Sequence, residues 1–401
     1  MPNALLEDRA PPIEGAEPNF SLVEPALEYD IDEVLRRQKE EAERRERRRR
    51  RWRPHTFVAG EGEYWCKTVG IRRGVQYKHF GPDARRSPCE AVCCKRPAPG
   101  APRADWRRGS FLAVGDWGYD PVSHGWNVKP ECQPLIADKM LEVMWMLGDV
   151  KFVVNVGDSF YPDGVKSKVD PQWQAKWRDV YSEEVRSVPW YSVYGNHDYH
   201  HDECACGGSW TCAQVNQDTN DRTFFYMPSP NFFVSHFDLN LEVIGLDTNK
   251  YMSPEGPTCC GYTSCKTQCE ANLNARAKEG MDLFWQRVRE SPAKTMVVFS
   301  HYPTDYFQAE PSFLEGLRDK SRRTIAYFGG HRHNTDNTST VSTFPNENWV
   351  VGGGGGFGCE PGIQQQGIVV GEIGFNDELS LYPALVDNRF CCRGHAGAWQ
   401  Y

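Results

Sequence analysis

Short apolar runs alternate with stretches of helical periodicity through the middle of the chain. Phe111–Val114 is the first such run, and apolar residues at helical spacing follow it from Pro130 to Leu147. Phe152–Val156 is the second, and a helical stretch from Gln172 to Val185 leads to a third run that begins at Val188. Strands that alternate with helices of this length indicate βαβ units, in which neighbouring strands are parallel.

The second half of the chain contains more strand-like segments. The pattern predicts two strands or a hairpin from Phe232 to Asp247 and a helix from Ala271 to Arg289. Two further apolar runs, Thr295–Phe299 and Thr324–Phe328, come next. The last part of the chain is β-rich and could form a second sheet, from the segments Trp349–Gly356, Gly367–Ile373 and Leu379–Val386.

The first 108 residues differ in composition from the rest. Residues 1 to about 30 are acidic and Pro-rich, which is typical of disorder. The segment from Ile31 to Trp52 predicts a helix with a basic run near its end. A solvated helix or linker is the simpler explanation of this run, and a membrane-surface or targeting role is the alternative. Residues 53–108 carry four cysteines among Pro, Gly and Arg, and predict an irregular segment.

Charge and cysteine content narrow the class of protein. The net charge of −8 argues against nucleic acid as the main partner. No apolar run approaches the roughly 20 residues of a transmembrane helix. The 15 cysteines are clustered, which favours disulfides in an oxidising compartment, with zinc as the alternative in a reducing one. We therefore expect a secreted, lumenal or vacuolar protein, although the N-terminus shows no visible signal peptide.

Two Cys-rich insertions interrupt the alternation of strands and helices. The first lies near residues 203–213 and the second near residues 257–270. Their spacings fit no paired Cys-x-x-Cys zinc site. We predict that disulfides close both loops, around Cys204–Cys212 and Cys259–Cys269.

Metal-competent residues follow five of the apolar runs. They are Asp116, Asp158 with Tyr161, Asn196 with His197, His301, and His331 with His333. A lone Asp past a strand is usually a turn or capping residue, but five matched ends in succession are not explained that way. Because a parallel sheet gathers the carboxyl ends of its strands at one edge, we expect these residues to share one cleft.

The residue types favour two hard or borderline metal ions. Carboxylate, phenolate, amide and imidazole groups suit iron, zinc or manganese rather than copper(I). Asp158 is central in the order of these motifs and its carboxylate can bridge two cations. Two cations about 3.5–4 Å apart clamp the attacking and leaving oxygens of a displacement at phosphorus.

Taken together, these motifs resemble the calcineurin-type metallophosphoesterases. The resemblance is carried by Asp116, Gly157-Asp158, Gly195-Asn196-His197-Asp198, His301 and Gly330-His331-Arg332-His333, in this order. The family pattern opens with Asp-x-His, whereas Gly118 stands two residues after Asp116. Tyr161, three residues after Asp158, is similar instead to the tyrosine of purple acid phosphatases. Further matches at residues 115–118, 157–165, 188–191 and 300–303 resemble the small mammalian-type (tartrate-resistant) members.

The resemblance covers residues 109–385 and implies a fold, a domain layout and a metal centre. The implied fold is of the α/β (α+β) class, a four-layer sandwich of two mixed β-sheets flanked by helices. We expect an N-terminal extension at 1–108, the metallophosphoesterase catalytic domain at 109–390 and a tail at 391–401. The implied ligands of ferric iron are Asp116, Asp158, Tyr161 and His333, and those of a second ion, Fe(II), zinc or manganese, are Asp158, Asn196, His301 and His331.

The implied activity is that of an acid phosphatase acting on phosphate monoesters. Metal-bound hydroxide would attack phosphorus and His197 would give a proton to the leaving alcohol, the substrates being phosphorylated small molecules or phosphoproteins. A phosphodiesterase or nucleotide hydrolase on the same metal site is the nearest alternative. A binding protein that retains the fold without turnover is the alternative from another class. The oligomeric state stays open.

The chain departs from the small purple acid phosphatases on the substrate side of the site. Those enzymes carry another histidine about nine residues after the position of His301, and residues 306–311 contain none. His200 and His201 are candidate phosphate-binding residues, although exposed loop histidines without a role explain them slightly better. Asn337-Thr338-Ser339 is a glycosylation sequon if the chain is secreted. We interpret Gly352–Gly356 as a tight loop at a strand end rather than a phosphate cradle, because it lacks the lysine and spacing of a P-loop.

Overall fold

A computed structural model describes residues 107–118, 132–167, 169–199, 214, 224–251, 260, 265–319, 323–355 and 365–386. The expectations for residues 1–106 and for the first Cys-rich insertion lie outside these residues, and so do His200 and His201. Of the helices in the described ranges, none is long and apolar enough to cross a bilayer.

Twelve strands can be assigned within the described residues. They are β1 Arg107–Val114, β2 Val150–Asn155, β3 Trp190–Ser192, β4 Phe225–Tyr226, β5 Phe232–His236, β6 Leu241–Gly245, β7 Thr295–Phe299, β8 Thr324–Gly329, β9 Thr335–Asp336, β10 Glu347–Val351, β11 Gly367–Gly374 and β12 Leu379–Leu385. The predicted hairpin from Phe232 to Asp247 is confirmed, since β5 and β6 pair antiparallel.

The described helices lie mainly in the connections between strands. The α-helices are α1 Cys132–Leu147, α2 Asn196–Tyr199, α3 Lys266–Glu290 and α4 Pro311–Arg318, with 3-10 turns at Val185–Ser187, Phe237–Leu239, Asn249–Tyr251 and Thr304–Phe307. The helix predicted from Gln172 to Val185 is instead a π-helical turn, Trp173–Arg178, that ends well before the 3-10 turn. The apolar spacing reflects burial of Trp173 and Trp177 against Phe225, and the wider turn achieves this burial as well.

The strands form two six-stranded mixed sheets. The first has the order β12-β11-β1-β2-β3-β4 and the second β5-β6-β7-β8-β10-β9. Within the first, β1 to β4 are parallel, β11 pairs antiparallel with β1, and β12 pairs antiparallel with β11. In the second, β6, β7, β8 and β10 are parallel, and β5 and β9 are antiparallel. The expected architecture of two mixed sheets flanked by helices is confirmed.

The C-terminal strands do not form a sheet of their own, so that expectation is wrong. β10 extends the second sheet beside β8, whereas β11 and β12 extend the first sheet beside β1. β10 and β11 are apolar because each lies between two other strands of its sheet, whereas β12 is a partly exposed edge strand. β11 is buried along its whole length between β1 and β12.

Successive side chains of a strand point to opposite faces of its sheet, so that one set packs against the other sheet and the other set against the helices. Phe111 and Ala113 of β1 face the second sheet, where Phe111 packs against Phe328, and Leu112 and Val114 face α1. α3 and α4 cover the outer face of the second sheet through an apolar cluster that includes Phe284. The central strands of both sheets are therefore buried on two faces, which explains why they are near-continuous apolar runs.

Candidate metal centre

The predicted site residues lie where the carboxyl ends of strands from both sheets meet. β1, β2 and β3 belong to the first sheet and β7 and β8 to the second, so both of the expected sheets contribute residues to the site. The two edges are joined by hydrogen bonds between loops. His331 N–H donates to the Asp116 carboxylate (3.1 Å), and His301 Nδ1 lies 3.0 Å from the Val156 carbonyl oxygen. Packing of sheet on sheet therefore places the five strand ends in one cleft.

Four of the predicted ligands have left-handed backbone conformations. The φ angles are 56° at Asp116, 49° at Asp158, 68° at His331 and 47° at His333. Non-glycine residues rarely adopt positive φ, and strained residues of this kind cluster at functional sites. At each of these positions the chain turns sharply as it leaves a strand, and this turn directs the side chain into the cleft.

Two glycines let the ligand carboxylates pack closely against the backbone of neighbouring loops. A Cβ on Gly195 would overlap the Asp158 carboxylate, and one on Gly330 would overlap that of Asp116. The glycine run after β10 has the same function, because Gly352 also packs against Asp116. This supports its interpretation as a tight strand-end loop.

One cluster of donor atoms surrounds the Tyr161 hydroxyl. Tyr161 Oη lies 2.9 Å from Asp158 Oδ2, 3.3 Å from Asp116 Oδ1 and 3.4 Å from His333 Nε2. His333 Nε2 is in turn 3.6 Å from Asp116 Oδ1. Three anionic or potentially anionic oxygens and one imidazole nitrogen thus converge in a buried space.

A second cluster surrounds the Asn196 amide oxygen. Asn196 Oδ1 lies 2.9 Å from His301 Nε2 and 3.1 Å from His331 Nδ1. His301 Nε2 is also 3.5 Å from Asp158 Oδ2, the atom that approaches Tyr161 in the first cluster. The two clusters therefore share Asp158, and both Asp158–His301–His331 and Asp116–Asp158–His333 have ligand atoms within 4.8 Å of one another.

These spacings also fit the ligand atoms of bound metal ions. Ligand atoms about 2.1 Å from a common ion are roughly 3.0–3.4 Å apart at octahedral or tetrahedral angles. His301 offers a further indication. Both of its nitrogens face oxygens that only accept, those of Val156 and Asn196, while a neutral imidazole has a single N–H. A cation at Nε2 satisfies both contacts, and Nδ1–H then fixes the ring on the Val156 carbonyl.

The electrostatics of the cluster favour bound cations. Burial and the nearby Asp158 charge raise the pKa of Asp116 well above its usual value, and burial with both carboxylates does the same for the pKa of Tyr161. Burial raises the pKa of Asp158 too, but the imidazoles of His301, His197 and His331 lower it overall. Burial lowers the pKa of His331 to about 3 and that of His333 to about 4. Histidine binds a metal ion as the neutral imidazole, and a bound cation offsets the repulsion between closely spaced carboxylates.

His197 and Asp198 follow Asn196 in α2 but have different surroundings. The ring of His197 lies over that of Tyr161, with centroids 4.5 Å apart, and its Nδ1 is 2.8 Å from the Pro162 carbonyl oxygen. Asp198 is buried and accepts backbone N–H groups from Ser159, Phe160 and Gly195. Asp198 therefore ties the loop after β2 to the loop after β3.

Gly118 cannot be replaced by the histidine of the Asp-x-His pattern without rebuilding the site. A Cβ at this position would overlap the carbonyl oxygen of Ser159, in the loop that carries Asp158 and Tyr161. The Tyr161 hydroxyl, 3.3 Å from Asp116 Oδ1, is the additional donor atom instead.

Two tyrosines pack on His331, which the sequence did not lead us to expect. The rings of Tyr302 and Tyr306 lie 4.7 and 5.5 Å from that of His331. Arg332, between the two predicted histidine ligands, pairs instead with Asp305. The sequence indicates these residues only by their nearness to His301, since Tyr302, Asp305 and Tyr306 all lie within five residues of it. The region without the extra histidine thus presents aromatic rings beside the cleft.

Two mixed sheets with paired clusters of metal-competent side chains between them are the arrangement expected of a metal-dependent phosphoesterase. The profile of the family described as calcineurin-like phosphoesterase matches residues 109–335, more than half of the 401 residues. This chain belongs to that family.

Several relatives of known class are similar to parts of the chain. Purple acid phosphatase 7 of Arabidopsis thaliana is 43% identical over 90 residues, which are 22% of this chain and 25% of the relative. Purple acid phosphatase 3 of the same plant is 28% identical over 61% of this chain and 63% of its own length. Tartrate-resistant acid phosphatase type 5 of Oryctolagus cuniculus is 27% identical over 64% and 75%. The chain therefore spans less than two thirds of the first two of these relatives.

Among solved structures, one match is titled "GAP50 the anchor in the inner membrane complex of Plasmodium". It has a TM-score of 0.48 and 22% sequence identity, covering 70% of this chain and 85% of that chain.

Proposed function

We propose that this protein is a binuclear-metal acid phosphatase that hydrolyses phosphate monoesters, with His197 as the proton donor to the leaving group. The observation that carries the proposal is the pair of donor clusters that share Asp158 Oδ2. The similarity to purple acid phosphatases, including the mammalian-type enzyme, supports it. Phosphorylated small molecules and phosphoproteins are the substrate classes we expect.

Asp116, Asp158, Tyr161 and His333 would hold ferric iron. A strong Lewis acid such as a trivalent ion favours the phenolate form of Tyr161, whose hydroxyl lies 2.9 Å from Asp158 and 3.3 Å from Asp116. The second ion, Fe(II), zinc or manganese, would be held by Asp158, Asn196, His301 and His331. When bound, such a pair of ions lowers the pKa of a water molecule and stabilises negative charge on phosphate oxygens.

His197 is suited to the transfer of a proton at Nε2. The Pro162 carbonyl only accepts hydrogen bonds, so the Nδ1 that faces it carries a hydrogen. Nε2 then gains or loses the second proton, which is the requirement for an acid that protonates a departing alkoxide. The backbone N–H of His197 donates to Asp158 Oδ1 (2.9 Å), and this bond ties the acid to the shared carboxylate.

The buried carboxyl group of Asp198 helps to keep this geometry. Asp198 holds the loops after β2 and β3 together through three backbone N–H groups. The cluster is largely buried, with Asp116, Tyr161 and His301 at 0% exposure and Asp158 at 1%. Restricted water access strengthens every electrostatic interaction within it.

We also propose that the protein functions in an oxidising compartment. Cys260 and Cys269 form a disulfide in the second Cys-rich insertion, as expected for a loop closed in this way. The Asn337-Thr338-Ser339 sequon lies in an exposed segment after β9, where a glycan would have room. Mass mapping of disulfides and glycans in the native protein tests this proposal, and free thiols at both cysteines would contradict it.

The catalytic proposal is tested by parallel assays with an aryl phosphate monoester and the matching diester at mildly acidic pH. We expect the monoester to be hydrolysed with the larger kcat/KM, and Asp158→Asn to abolish activity on both because it removes the shared ligand. A larger kcat/KM for the diester would favour the phosphodiesterase alternative. Absence of turnover in protein that contains both metals would favour the non-catalytic one.

A further inference from the structure

A buried group of charged and aromatic side chains lies behind the segment that carries Asn196 and His197. Its members are Arg276 of α3, Asp247 after β6, and Tyr199 at the end of α2, which are 7%, 1% and 1% exposed. None of them belongs to either donor cluster. Burial of an ion pair carries a large desolvation penalty, which good geometry and additional hydrogen bonds offset.

Arg276 contacts both ends of this segment. Its guanidinium lies 5.8 Å from the ring centroid of Tyr194 and 5.4 Å from that of Tyr199, and the two rings are 4.7 Å apart. Tyr194 comes just before Gly195-Asn196-His197-Asp198 and Tyr199 just after it. The same guanidinium donates to the Tyr199 hydroxyl and lies 3.4 Å from Asp247 Oδ2.

Asp247 and Asn249 hold the segment from the other side. The Tyr199 hydroxyl donates to Asp247 Oδ2, while Asn249 Nδ2 donates to Asp247 Oδ1 (3.0 Å) and to the Tyr194 carbonyl oxygen (3.1 Å). The Asp247 backbone N–H donates to Asn231 Oδ1 (2.8 Å). The two tyrosines are thus fixed through both their rings and their polar atoms.

Helix α3 is itself anchored near its start. Cys269, in its first turn, is bonded to Cys260, and Cys269 and Leu273 pack in the same apolar cluster as Tyr194 and Tyr199. Cys269 and Arg276 are seven residues apart, so they lie on one face of the helix. The second Cys-rich insertion therefore precedes the helix that brings Arg276 to the site.

We propose that Arg276 is a positioning residue that acts through Tyr194 and Tyr199 to fix Asn196 against the second metal ion and His197 against the leaving group. This inference rests on the function proposed above. Arg276 touches neither substrate nor metal. Loss of the contacts between Arg276 and the two tyrosines is expected to weaken metal binding by the cluster around Asn196 and to impair proton donation by His197. The cluster around Tyr161 is expected to keep its geometry.

The test compares Arg276→Lys with the matched variant Arg287→Lys. Arg287 lies on the same helix and forms a partly buried bidentate pair with Glu242, at 2.9 and 3.0 Å, away from the segment. Lysine keeps the charge at both positions but loses the planar group that stacks on rings and bonds bidentately. If the two variants lose similar thermal stability, a difference between them in metal affinity or kcat does not come from general destabilisation.

Two measurements distinguish positioning from a structural role. The first is Mn²⁺ affinity by calorimetry of the metal-depleted protein, which needs no turnover, and we expect about a tenfold loss in Arg276→Lys and none in Arg287→Lys. The second is kcat for an alkyl and an aryl phosphate monoester. Arg276→Lys should lower kcat about tenfold on the alkyl ester and much less on the aryl ester. In protein that already carries His197→Ala, Arg276→Lys should cause little further loss of kcat.

Unchanged Mn²⁺ affinity together with equal kcat losses on both esters would overturn the inference. Wild-type protein that binds Mn²⁺ but hydrolyses neither ester would refute the proposed function, while the affinity comparison would still decide the positioning of Asn196. If Arg276→Lys fails to fold, Tyr199→Phe replaces it. That change keeps the ring and removes only the hydroxyl between Arg276 and Asp247, and the same pattern of losses is expected at smaller size.

Discussion

At the residue scale, the site depends on backbone positions that have no room for a side chain. Gly118 is the clearest case, because it packs on the peptide after Ser159, in the loop that carries Asp158 and Tyr161. We expect Gly118→Ala to lower the free energy of unfolding by about 1–3 kcal/mol and to reduce metal content, since the loop must shift. Denaturant unfolding and metal analysis measure the two effects.

Gly109→Ala is the matched control for this change. Gly109 is in β1, remote from the site, and its added Cβ would lie 2.9 Å from Leu239 Cδ2 and 3.1 Å from Lys151 Cε, both at the ends of flexible side chains. We expect full metal content and a stability change of about 1 kcal/mol or less. Equal metal loss in the two variants would contradict the account of Gly118.

The role of His197 gives a prediction about leaving groups. Its Nδ1 is held by the Pro162 carbonyl, so that only Nε2 exchanges a proton with a substrate. We expect His197→Ala to lower kcat on alkyl phosphates by about 10²–10⁴-fold and much less on aryl phosphates, whose leaving groups depart without a proton. Steady-state assays with esters of graded leaving-group pKa measure the difference, and parallel losses across the series would exclude His197 as the acid.

The sequence identifies the candidate metal ligands more readily than the residues that position them. Asp116, Asp158, Asn196 and the histidines follow recognisable strands, so local pattern and family resemblance identify them. Arg276 is 77 residues from Tyr199 in the chain, and no local pattern joins the two. Contacts of that kind arise only when the sheets pack.

At the element scale, the strands were predicted more reliably than the sheets they join. Phe152–Val156 and Thr295–Phe299 agree with β2 and β7 to within two residues. Their assignment to two sheets depends on pairings across the chain, such as β1 with β11. Apolar content alone does not specify partners, which is why β10, β11 and β12 were expected to form a sheet of their own.

One contact between the sheets gives a pH prediction. His236 at the end of β5 stacks on Phe152 of β2, with centroids 4.8 Å apart, and its Nε2 is 2.9 Å from the Tyr191 hydroxyl. Burial lowers the pKa of His236 from 6.5 to about 4. Between these values the unfolded chain binds more protons than the folded one, so the unfolding free energy falls as pH drops through this window.

The size of the effect is measurable by comparison with His236→Phe, which keeps the stacked ring and does not titrate. We expect the wild type to lose about 2 kcal/mol more than this variant between pH 7 and pH 4, after allowance for partial exposure. Denaturant unfolding at the two pH values provides the measurement. An equal loss in both proteins would show that His236 is not neutral in the folded state.

At the scale of the whole molecule, the candidate metal centre forms because two sheets present their carboxyl edges to one cleft. The first sheet contributes Asp116, Asp158 and Asn196, and the second contributes His301 and His331. Neither sheet alone holds a complete ligand set, so the site forms only in the packed domain. The resemblance to a known family supplied this two-sheet arrangement, which strand periodicity by itself did not.

The central claim is that Asp158 joins two metal ions, one of them bound to Tyr161. Metal analysis of the purified protein, with a visible spectrum of the same sample, tests it most directly. We predict two ions per chain, including iron, and a visible charge-transfer band that Tyr161→Phe abolishes. A fully metallated protein that contains one ion per chain, or that shows no visible band, would contradict the claim.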